Sequence, residues 1–179
     1  MTKDVERILI TEDEIAKRIK ELGEEITNDY KDKEDILVVG VLKGSVIFLS
    51  DLIRNINLPV KMDFMIVSSY ANGAVSSGSI NIKKDLDTDI KGKHVIIAED
   101  IIDSGITLSN LYKILLEREP KSLKICTLLD KKERREAEID VDYIGFDIPN
   151  EFIIGYGLDY AENYRNIPYI GILKREIYE

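Results

Sequence analysis

The stretch from His94 to Leu108 constrains the fold of this chain more than any other, because a strand, an acidic edge, a tight turn and a helix follow one another without interruption. Residues 95–98 form an apolar run rich in β-branched side chains, which is typical of a strand buried on both faces of a parallel sheet. From Leu108 the apolar residues recur at helical spacing. A buried strand that leads directly into a helix favours an α/β fold.

Two carboxylates and a glycine turn follow this strand. Glu99 and Asp100 are expected at its carboxyl end, where open α/β sheets bind their ligands. Gly105 lies between hydroxyl residues at the helix entrance, so backbone N–H groups converge there and the helix dipole adds positive potential. The turn therefore fits one phosphate, and its residues are Asp103, Ser104, Gly105, Ile106 and Thr107.

The acidic pair limits the ligand that this turn can bind. Carboxylates beside an anion site repel the ligand unless they contact sugar hydroxyls or a bridging Mg²⁺. A ribose 5-phosphate meets this condition, because it has hydroxyl groups for the carboxylates and can bind Mg²⁺. The patterns G-x-x-x-x-G-K-[ST] and G-x-G-x-x-G are absent, so neither a triphosphate nor a dinucleotide is expected. The alternative is an ordinary turn capped by Asp103 or Ser104, which leaves Glu99 and Asp100 as a costly unpaired pair.

The composition excludes several classes of function. A net charge of −9 disfavours nucleic acid as a partner, because phosphate contacts need a basic face. The single cysteine, Cys126, is interpreted as core filling. The single histidine, His94, has no second histidine and no nearby cysteine in the sequence with which to bind zinc. The apolar runs are too short to span a bilayer and the first residues are charged, so we expect one domain, residues 1–179, in the cytoplasm and without a membrane partner.

The turn resembles the phosphoribosyl-pyrophosphate loop of the type I phosphoribosyltransferases, because residues 101–105 are close to the commonest form of that loop. The resemblance covers roughly residues 36–173. It implies the type I phosphoribosyltransferase fold, which has a central, mostly parallel sheet flanked by helices. It also implies a core at about residues 36–140 and a small hood from the terminal segments, about residues 1–12 and 141–179.

A second strand-to-helix turn follows the apolar run at residues 36–42. By itself it favours a tight turn with Ser45 as the helix N-cap. Residues 42–45 match the pyrophosphate loop of the family's bacterial 6-oxopurine (hypoxanthine-guanine) branch, in which the peptide before the lysine is commonly strained. The resemblance therefore implies that Lys43 and Gly44 bind pyrophosphate, together with Arg165.

Residues 69–78 are small and polar, with two glycines and no packing pattern. A hairpin linker explains this composition, but the segment is longer than a hairpin needs, and long loops in compact domains are often lids. In the resembled family, Ser69 and Tyr70 match the lid that closes over the reacting centre and keeps water from the sugar electrophile. Bacterial members often have glycine directly after this tyrosine, where the chain has Ala71.

The later part of the chain supplies candidate residues for a base. Lys131 lies in a charged block, residues 130–135, that by composition alone is a solvated face, and core packing explains Phe152 equally well. In the resembled family, Lys131 matches a lysine that donates a hydrogen bond to the exocyclic oxygen of a 6-oxopurine. A donor at this position accepts hypoxanthine or guanine and rejects adenine, whose 6-amino group is itself a donor. Phe152 matches the exposed aromatic that stacks on the purine, and Ile153 matches the backbone partner of the purine edge. Asp159 matches a residue that contacts the purine and is also a Mg²⁺ ligand.

Together the residues and the resemblance predict purine salvage that depends on Mg²⁺. Hypoxanthine or guanine attacks phosphoribosyl pyrophosphate, and IMP or GMP and pyrophosphate leave the enzyme. Glu99 and Asp100 hold the ribose hydroxyls directly or through metal and water, and with Asp159 they are the expected metal ligands. Asp103 is the expected general base, which takes the proton from the purine's imidazole nitrogen. The family habitually forms homodimers or homotetramers.

Three alternatives stay open. A regulatory protein that senses phosphoribosyl pyrophosphate and binds nucleic acid predicts a basic face, which the charge of −9 opposes. A phospho-receiver domain predicts acids from separate strands, whereas Glu99, Asp100 and Asp103 share one segment. A sister enzyme for adenine, orotate or uracil is closer, but Lys131 and the Phe152 segment weigh against it.

Overall fold

The computed structural model describes residues 2–69 and 80–179. Short 3₁₀ helices lie at Thr2–Asp4 and Lys132–Arg134. The α-helices are α1 Glu12–Tyr30, α2 Val46–Asn55, α3 Ile106–Leu116 and α4 Arg175–Tyr178. The strands are β1 Val5–Ile10, β2 Ile36–Val41, β3 Val60–Ser69, β4 Ile80–Lys84, β5 His94–Ile102, β6 Ser122–Asp130, β7 Tyr143–Asp147, β8 Ile153–Ile154 and β9 Ile170–Leu173.

The larger sheet has the strand order β4-β3-β2-β5-β6-β7. Its strands pair in parallel except for β4, which pairs antiparallel with β3. Side chains of β2 alternate between two cores, since Ile36 and Val38 pack on the side of α1 and α2, whereas Leu37 and Val39 pack on the side of α3. The predicted α/β fold with a mostly parallel sheet flanked by helices is thus confirmed.

A smaller antiparallel sheet joins the two ends of the described chain in the order β1-β9-β8. In contrast, β7 pairs with β6 in the larger sheet, although the sequence prediction counted all of residues 141–179 as hood. The division into core and hood stays a proposal, and residue 148 is a better end for the core than residue 140.

The helix α1 begins at a capping box formed by Thr11 and Glu14. The Thr11 hydroxyl accepts a hydrogen bond from the Glu14 N–H at 3.3 Å, and the Glu14 carboxylate accepts one from the Thr11 N–H at 2.8 Å. This reciprocal arrangement satisfies two N–H groups that have no partner inside the helix. Ile15, Ile19 and Leu22 then bury one face of α1 in the core.

The structure gives the bounds of three elements near the predicted site. The strand β5 extends beyond the acidic pair, because its pairing with β6 continues to Ile102 opposite Asp130, so Glu99 and Asp100 lie in its carboxyl-terminal part. The helix α3 begins at Ile106, which confirms the predicted position of Gly105 at the helix entrance. Ser45 is the N-cap residue of α2, but its side chain does not cap the helix, since its hydroxyl donates to the Val41 carbonyl at 2.7 Å.

Cys126 is buried in the core, and burial raises the pKa of its thiol. His94 Nδ1 is hydrogen-bonded to Ser122 Oγ at 2.6 Å, and the ring meets Tyr30 edge-on. Both residues are therefore structural. Among residues 2–69 and 80–179, no helix is both long and apolar enough to span a bilayer.

Candidate active site

A cleft of about 310 Å³ lies where β2 ends and β5 continues. The chain proceeds from β2 to β3 on one side and from β5 to β6 on the other, and the connecting helices α2 and α3 lie on opposite faces of the sheet. Such a switch point is where doubly wound sheets bind ligands. We call this the acidic cleft, and it is lined by Val41, Leu42, Gly44, Val67, Glu99, Asp100, Ile101, Ile102, Asp103, Ser104, Gly105, Thr107, Leu108 and Leu111.

The two neighbouring acids are withdrawn from water in this cleft. Asp100 is buried, and its Oδ1 accepts a hydrogen bond from the Ile101 N–H at 2.9 Å. Burial raises the pKa of Glu99 well above its ordinary value, and the adjacent charge of Asp100 raises it further. Burial also raises the pKa of Asp100, against the hydrogen bonds that it accepts. The pair therefore needs neutralisation by a proton or by a cationic or hydroxyl-bearing ligand.

Gly44 packs directly against this pair. A Cβ atom at Gly44 would lie 1.6 Å from Oδ2 of Asp100 and 2.7 Å from its Cγ. A Cβ atom at Gly157, where φ is +100°, would lie 2.1 Å from the Gly44 carbonyl oxygen. Two glycines therefore bring the β2–α2 loop into contact with β5 on one side and with residues 155–159 on the other.

The predicted phosphate turn is held from outside by the loop after β6. The Ser104 carbonyl accepts hydrogen bonds from Glu136 N–H at 2.9 Å and Ala137 N–H at 3.0 Å. Gly105 has φ of +77° at the helix entrance, and the Arg135 side chain lies over it. Arg135 forms an ion pair with the buried Asp130. The turn is therefore fixed before any anion binds.

A second concavity of about 380 Å³ adjoins the acidic cleft. We call it the aromatic pocket, and it is lined by Ile101, Asp103, Lys131, Arg134, Asn150, Glu151, Phe152, Ile153, Leu158, Asp159, Arg175, Tyr178 and Glu179. All four residues predicted to contact a base are among them. Phe152 is half-buried rather than exposed, because its ring stacks on Tyr178.

Lys131 is the buried cation of the aromatic pocket. Its side chain is 8% exposed, and within the described residues its ammonium group forms neither a hydrogen bond nor an ion pair with a protein acceptor. Burial lowers the pKa of Lys131, the charge of Asp103 opposes this shift and Arg134 adds to it. A lysine that is largely buried and whose ammonium group has no acceptor among the described residues favours a ligand that brings one.

Asp103 lies between the two concavities, because it lines both the acidic cleft and the aromatic pocket. Its Oδ1 is 2.9 Å from the Arg134 Nε, and the carboxylate is about half exposed. Ile101 also lines both. A carboxylate in this position can accept a proton from a ligand in the aromatic pocket while the acidic cleft is occupied.

Lys43 and Arg165 line neither of these two concavities, as far as the described residues extend. Lys43 is exposed and its Nζ lies 2.9 Å from Glu162 Oε2. Arg165 donates to the Gly157 carbonyl at 2.7 Å and pairs with Asp159 at 2.9 Å and with Glu162 at 3.3 Å. The two cations thus share one carboxylate, and the Leu42–Lys43 peptide beside them is cis.

Three further predicted residues, Ser69, Tyr70 and Ile106, have few contacts or none that the structure describes. Ser69 ends β3 with its backbone paired to Ile80, and Tyr70 lies outside the described residues. The predicted lid stays a prediction. Ile106 begins α3, and its N–H lies 3.4 Å from the Ser104 hydroxyl.

A family model for the phosphoribosyl transferase domain matches residues 6–161. The chain belongs to the phosphoribosyltransferase family.

Curated relatives and solved structures agree with this family. The hypoxanthine-guanine phosphoribosyltransferase of Bacillus subtilis is 54% identical over 179 residues, 100% of this chain and 99% of that protein. The corresponding protein of Streptococcus pneumoniae strain R6 is 55% identical over 178 residues, 99% of this chain and 98% of its own length. A tetragonal crystal structure of a hypoxanthine phosphoribosyltransferase from Staphylococcus aureus gives a TM-score of 0.96 at 49% identity and covers 100% of this chain and 97% of that one.

Several pocket residues of this phosphoribosyltransferase were missed by sequence reasoning. Arg134 lay in a charged block that was interpreted as solvated, so only its place after Lys131 pointed to it. Ile101, Asn150, Glu151 and Leu158 lie next to predicted site residues along the chain, whereas Arg175, Tyr178 and Glu179 reach the pocket from the distant α4 segment. The missed residues of the aromatic pocket are Ile101, Arg134, Asn150, Glu151, Leu158, Arg175, Tyr178 and Glu179.

A hard divalent cation fits the phosphoribosyltransferase site at one position. Glu99 and Asp100 offer carboxylate oxygens, which Mg²⁺ prefers, and burial raises the pKa of both, although the charge of Arg165 acts against the rise at Asp100. Asp159 differs, since Arg165 and the Glu162 N–H already occupy its oxygens. The donor set therefore fits Mg²⁺ best at the acidic pair.

Proposed function

We propose that this chain transfers the 5-phosphoribosyl group from phosphoribosyl pyrophosphate to hypoxanthine and guanine, with IMP, GMP and pyrophosphate as products. The observation that carries the proposal is the position of Asp103 on the boundary between the acidic cleft and the aromatic pocket. Relatives of nearly the same length that carry this activity in their names support it.

The acidic cleft is the proposed site of the phosphoribosyl group. Backbone N–H groups of residues 104–107 would bind the 5′-phosphate at the entrance of α3, where the helix dipole favours an anion. Glu99 and Asp100 would accept hydrogen bonds from the ribose hydroxyls. Positive charge develops on the sugar as the pyrophosphate bond breaks, and both carboxylates stabilise that charge.

The aromatic pocket is the proposed site of the base. Phe152 would stack on the purine ring, Lys131 would donate to its exocyclic oxygen and Ile153 would contact its edge through the backbone. Lys131 is buried without a protein acceptor among the described residues, so the 6-oxygen would supply the acceptor that it lacks. The 6-amino group of adenine is a donor and cannot do so.

Asp103 is the proposed general base. It lies within the wall shared by both sites and would take the proton from the purine's imidazole nitrogen as the new bond forms. The Arg134 Nε lies 2.9 Å from Oδ1 of Asp103, so the two side chains form an ion pair. This ion pair would keep the carboxylate facing both ligands.

Lys43, Gly44 and Arg165 are the proposed contacts for pyrophosphate, and Glu99, Asp100 and Asp159 the proposed ligands for Mg²⁺. When bound, Mg²⁺ would offset the charge of the leaving pyrophosphate. Lys43 and Arg165 both contact Glu162 in the free protein, so pyrophosphate would replace Glu162 as their anionic partner. Ser69 and Tyr70 would belong to the lid that excludes water. The proposal also includes a cytoplasmic location and a homodimer or homotetramer.

The test is product formation from four purines with phosphoribosyl pyrophosphate, with and without Mg²⁺. We expect turnover of hypoxanthine and guanine that depends on the metal, and no AMP from adenine. Failure to convert any base, with phosphoribosyl pyrophosphate still bound, would contradict the proposed enzyme and favour a regulatory protein that senses this compound. Xanthine is the fourth purine, and its rate relative to hypoxanthine and guanine shows how far the pocket discriminates between substituents at the 2-position.

Replacement of Lys131 by methionine should raise the KM for hypoxanthine by about 10- to 100-fold, because a charged hydrogen bond to the base is lost. The KM for phosphoribosyl pyrophosphate should stay the same, since Lys131 lines only the aromatic pocket. The matched control is Lys132→Met, which removes an exposed lysine paired with Asp147. Equal base KM values in Lys131→Met and the wild type would remove Lys131 from base recognition.

A further inference from the structure

The helix α4 lies beside the proposed base site although it is distant in sequence from the motifs that define that site. The Leu173 N–H at the end of β9 donates to the Phe152 carbonyl at 2.9 Å. This hydrogen bond brings the chain that follows β9 next to Phe152. The helix then begins at Arg175, and three residues of this segment, Arg175, Tyr178 and Glu179, line the aromatic pocket.

Tyr178 makes a defined contact with the proposed stacking residue. Its ring centroid lies 4.7 Å from that of Phe152, and the ring planes differ by 24°, which is a stacked arrangement. Tyr160 meets the Phe152 ring edge-on, with centroids 5.4 Å apart and an interplanar angle of 86°. The Phe152 ring is thus supported by one aromatic side chain on its face and by another at its edge.

Both stacked rings also pack against apolar side chains of the protein. Phe152 and Tyr178 pack against a buried cluster formed by Ile154, Ile167 and Leu173. Neither ring can therefore turn freely without disturbing the smaller sheet. The stacking surface offered to a ligand has an orientation that two aromatic contacts and this cluster fix in advance.

We propose that Tyr178 is a positioning residue for the base: its ring holds Phe152 in the orientation that stacks on a 6-oxopurine, and α4 forms one wall of the base site. This inference rests on the proposed function. It assigns to α4 a part in binding the planar base and none in binding the phosphoribosyl group, because no residue of α4 lines the acidic cleft.

The physical consequence concerns the base alone. A pre-oriented ring loses less conformational freedom when the ligand binds, and aromatic pairs add attraction beyond the area that they bury. Without the Tyr178 ring, Phe152 loses the contact on its face and keeps only the edge contact with Tyr160 and the apolar cluster, so its orientation is less narrowly fixed. Affinity for the base should then fall by roughly fivefold to tenfold, the upper part of the range of one aromatic pair.

The test compares Tyr178→Ala, Tyr178→Leu and Tyr178→Phe with the wild type. Leucine keeps apolar volume without a ring plane, and phenylalanine keeps the ring. We expect the KM for hypoxanthine to rise roughly fivefold to tenfold in the alanine and leucine variants and to return to the wild-type value with phenylalanine. The KM for phosphoribosyl pyrophosphate and kcat should change by less than about twofold, since the contact acts on ground-state binding of the base.

Two controls separate this role from a structural one. Glu176→Ala alters an exposed residue of the same helix that does not line the pocket, and it should leave every constant unchanged. Calorimetric binding of IMP gives a readout that does not need turnover, and IMP should bind more weakly to Tyr178→Leu. An unchanged KM for hypoxanthine in both the alanine and leucine variants would overturn the inference while the proposed function stands. A wild-type protein that neither converts hypoxanthine nor binds IMP would overturn both.

Discussion

Asparagine in place of Asp103 should lower kcat by about 10²- to 10⁴-fold, which is the usual contribution of a general base. The side chain keeps its shape but cannot accept a proton at neutral pH. The dissociation constant for phosphoribosyl pyrophosphate should stay within about twofold, because the turn proposed to bind the phosphate is held by the N–H groups of Glu136 and Ala137 and by the positive φ of Gly105 rather than by the charge of Asp103. The measurements are steady-state kinetics and calorimetry of the same variant.

The matched control for this variant is Asp140→Asn, which removes an exposed carboxylate from the loop after β6. Its kcat should equal that of the wild type. A normal kcat in Asp103→Asn would exclude Asp103 as the base. A large loss of affinity for phosphoribosyl pyrophosphate would instead indicate that Asp103 acts through the turn or through its ion pair with Arg134.

Replacement of Gly44 by alanine should weaken the binding of phosphoribosyl pyrophosphate by about tenfold or more and also lower the melting temperature. The new Cβ atom would lie 1.6 Å from Oδ2 of Asp100, so either the β2–α2 loop or the acid must move. Overpacking of this kind costs about 1–3 kcal/mol of stability. Both the proposed pyrophosphate loop and the acidic pair would lose their arrangement.

A double variant separates the clash from the chemistry. In Gly44→Ala combined with Asp100→Ala, the carboxylate that the new atom meets is absent, so the melting temperature should recover by more than the two single changes predict. Binding should not recover, because Asp100 itself is lost from the site. Wild-type affinity in the Gly44→Ala single variant would show that the loop adapts and that the close approach of Gly44 to Asp100 has no role in binding.

Local patterns in the sequence determined the elements that need only neighbouring residues. The capping box at Thr11 and Glu14, the helical spacing of Ile15 and Ile19, and the buried strand at residues 95–98 each depend on short-range geometry. The phosphate turn is also local, because a glycine with positive φ at a helix entrance is a property of its own segment. The resemblance to the type I family then implied a central, mostly parallel sheet flanked by helices, which the observed pairing matches.

The length of β5 was less predictable for a physical reason. The apolar run that predicts this strand stops before Glu99, since charged side chains rarely occupy a buried strand. In the fold, β6 continues to offer backbone partners as far as Asp130, so the ladder holds the acids inside β5. The free energy of those backbone hydrogen bonds is a property of the neighbouring strand, which no local pattern contains.

By itself, the sequence determined the α/β fold class and the positions of the acidic pair and the glycine turn, and the resemblance to the family indicated Lys131, Phe152 and Ile153 in the aromatic pocket. Only the tertiary structure decided which distant side chains contact the predicted site residues. Arg134 reaches Asp103, Glu162 joins Lys43 to Arg165, and Tyr178 stacks on Phe152. Such contacts depend on how separate elements pack, because the distance between two side chains is set by the sheet and its loops rather than by their spacing along the chain.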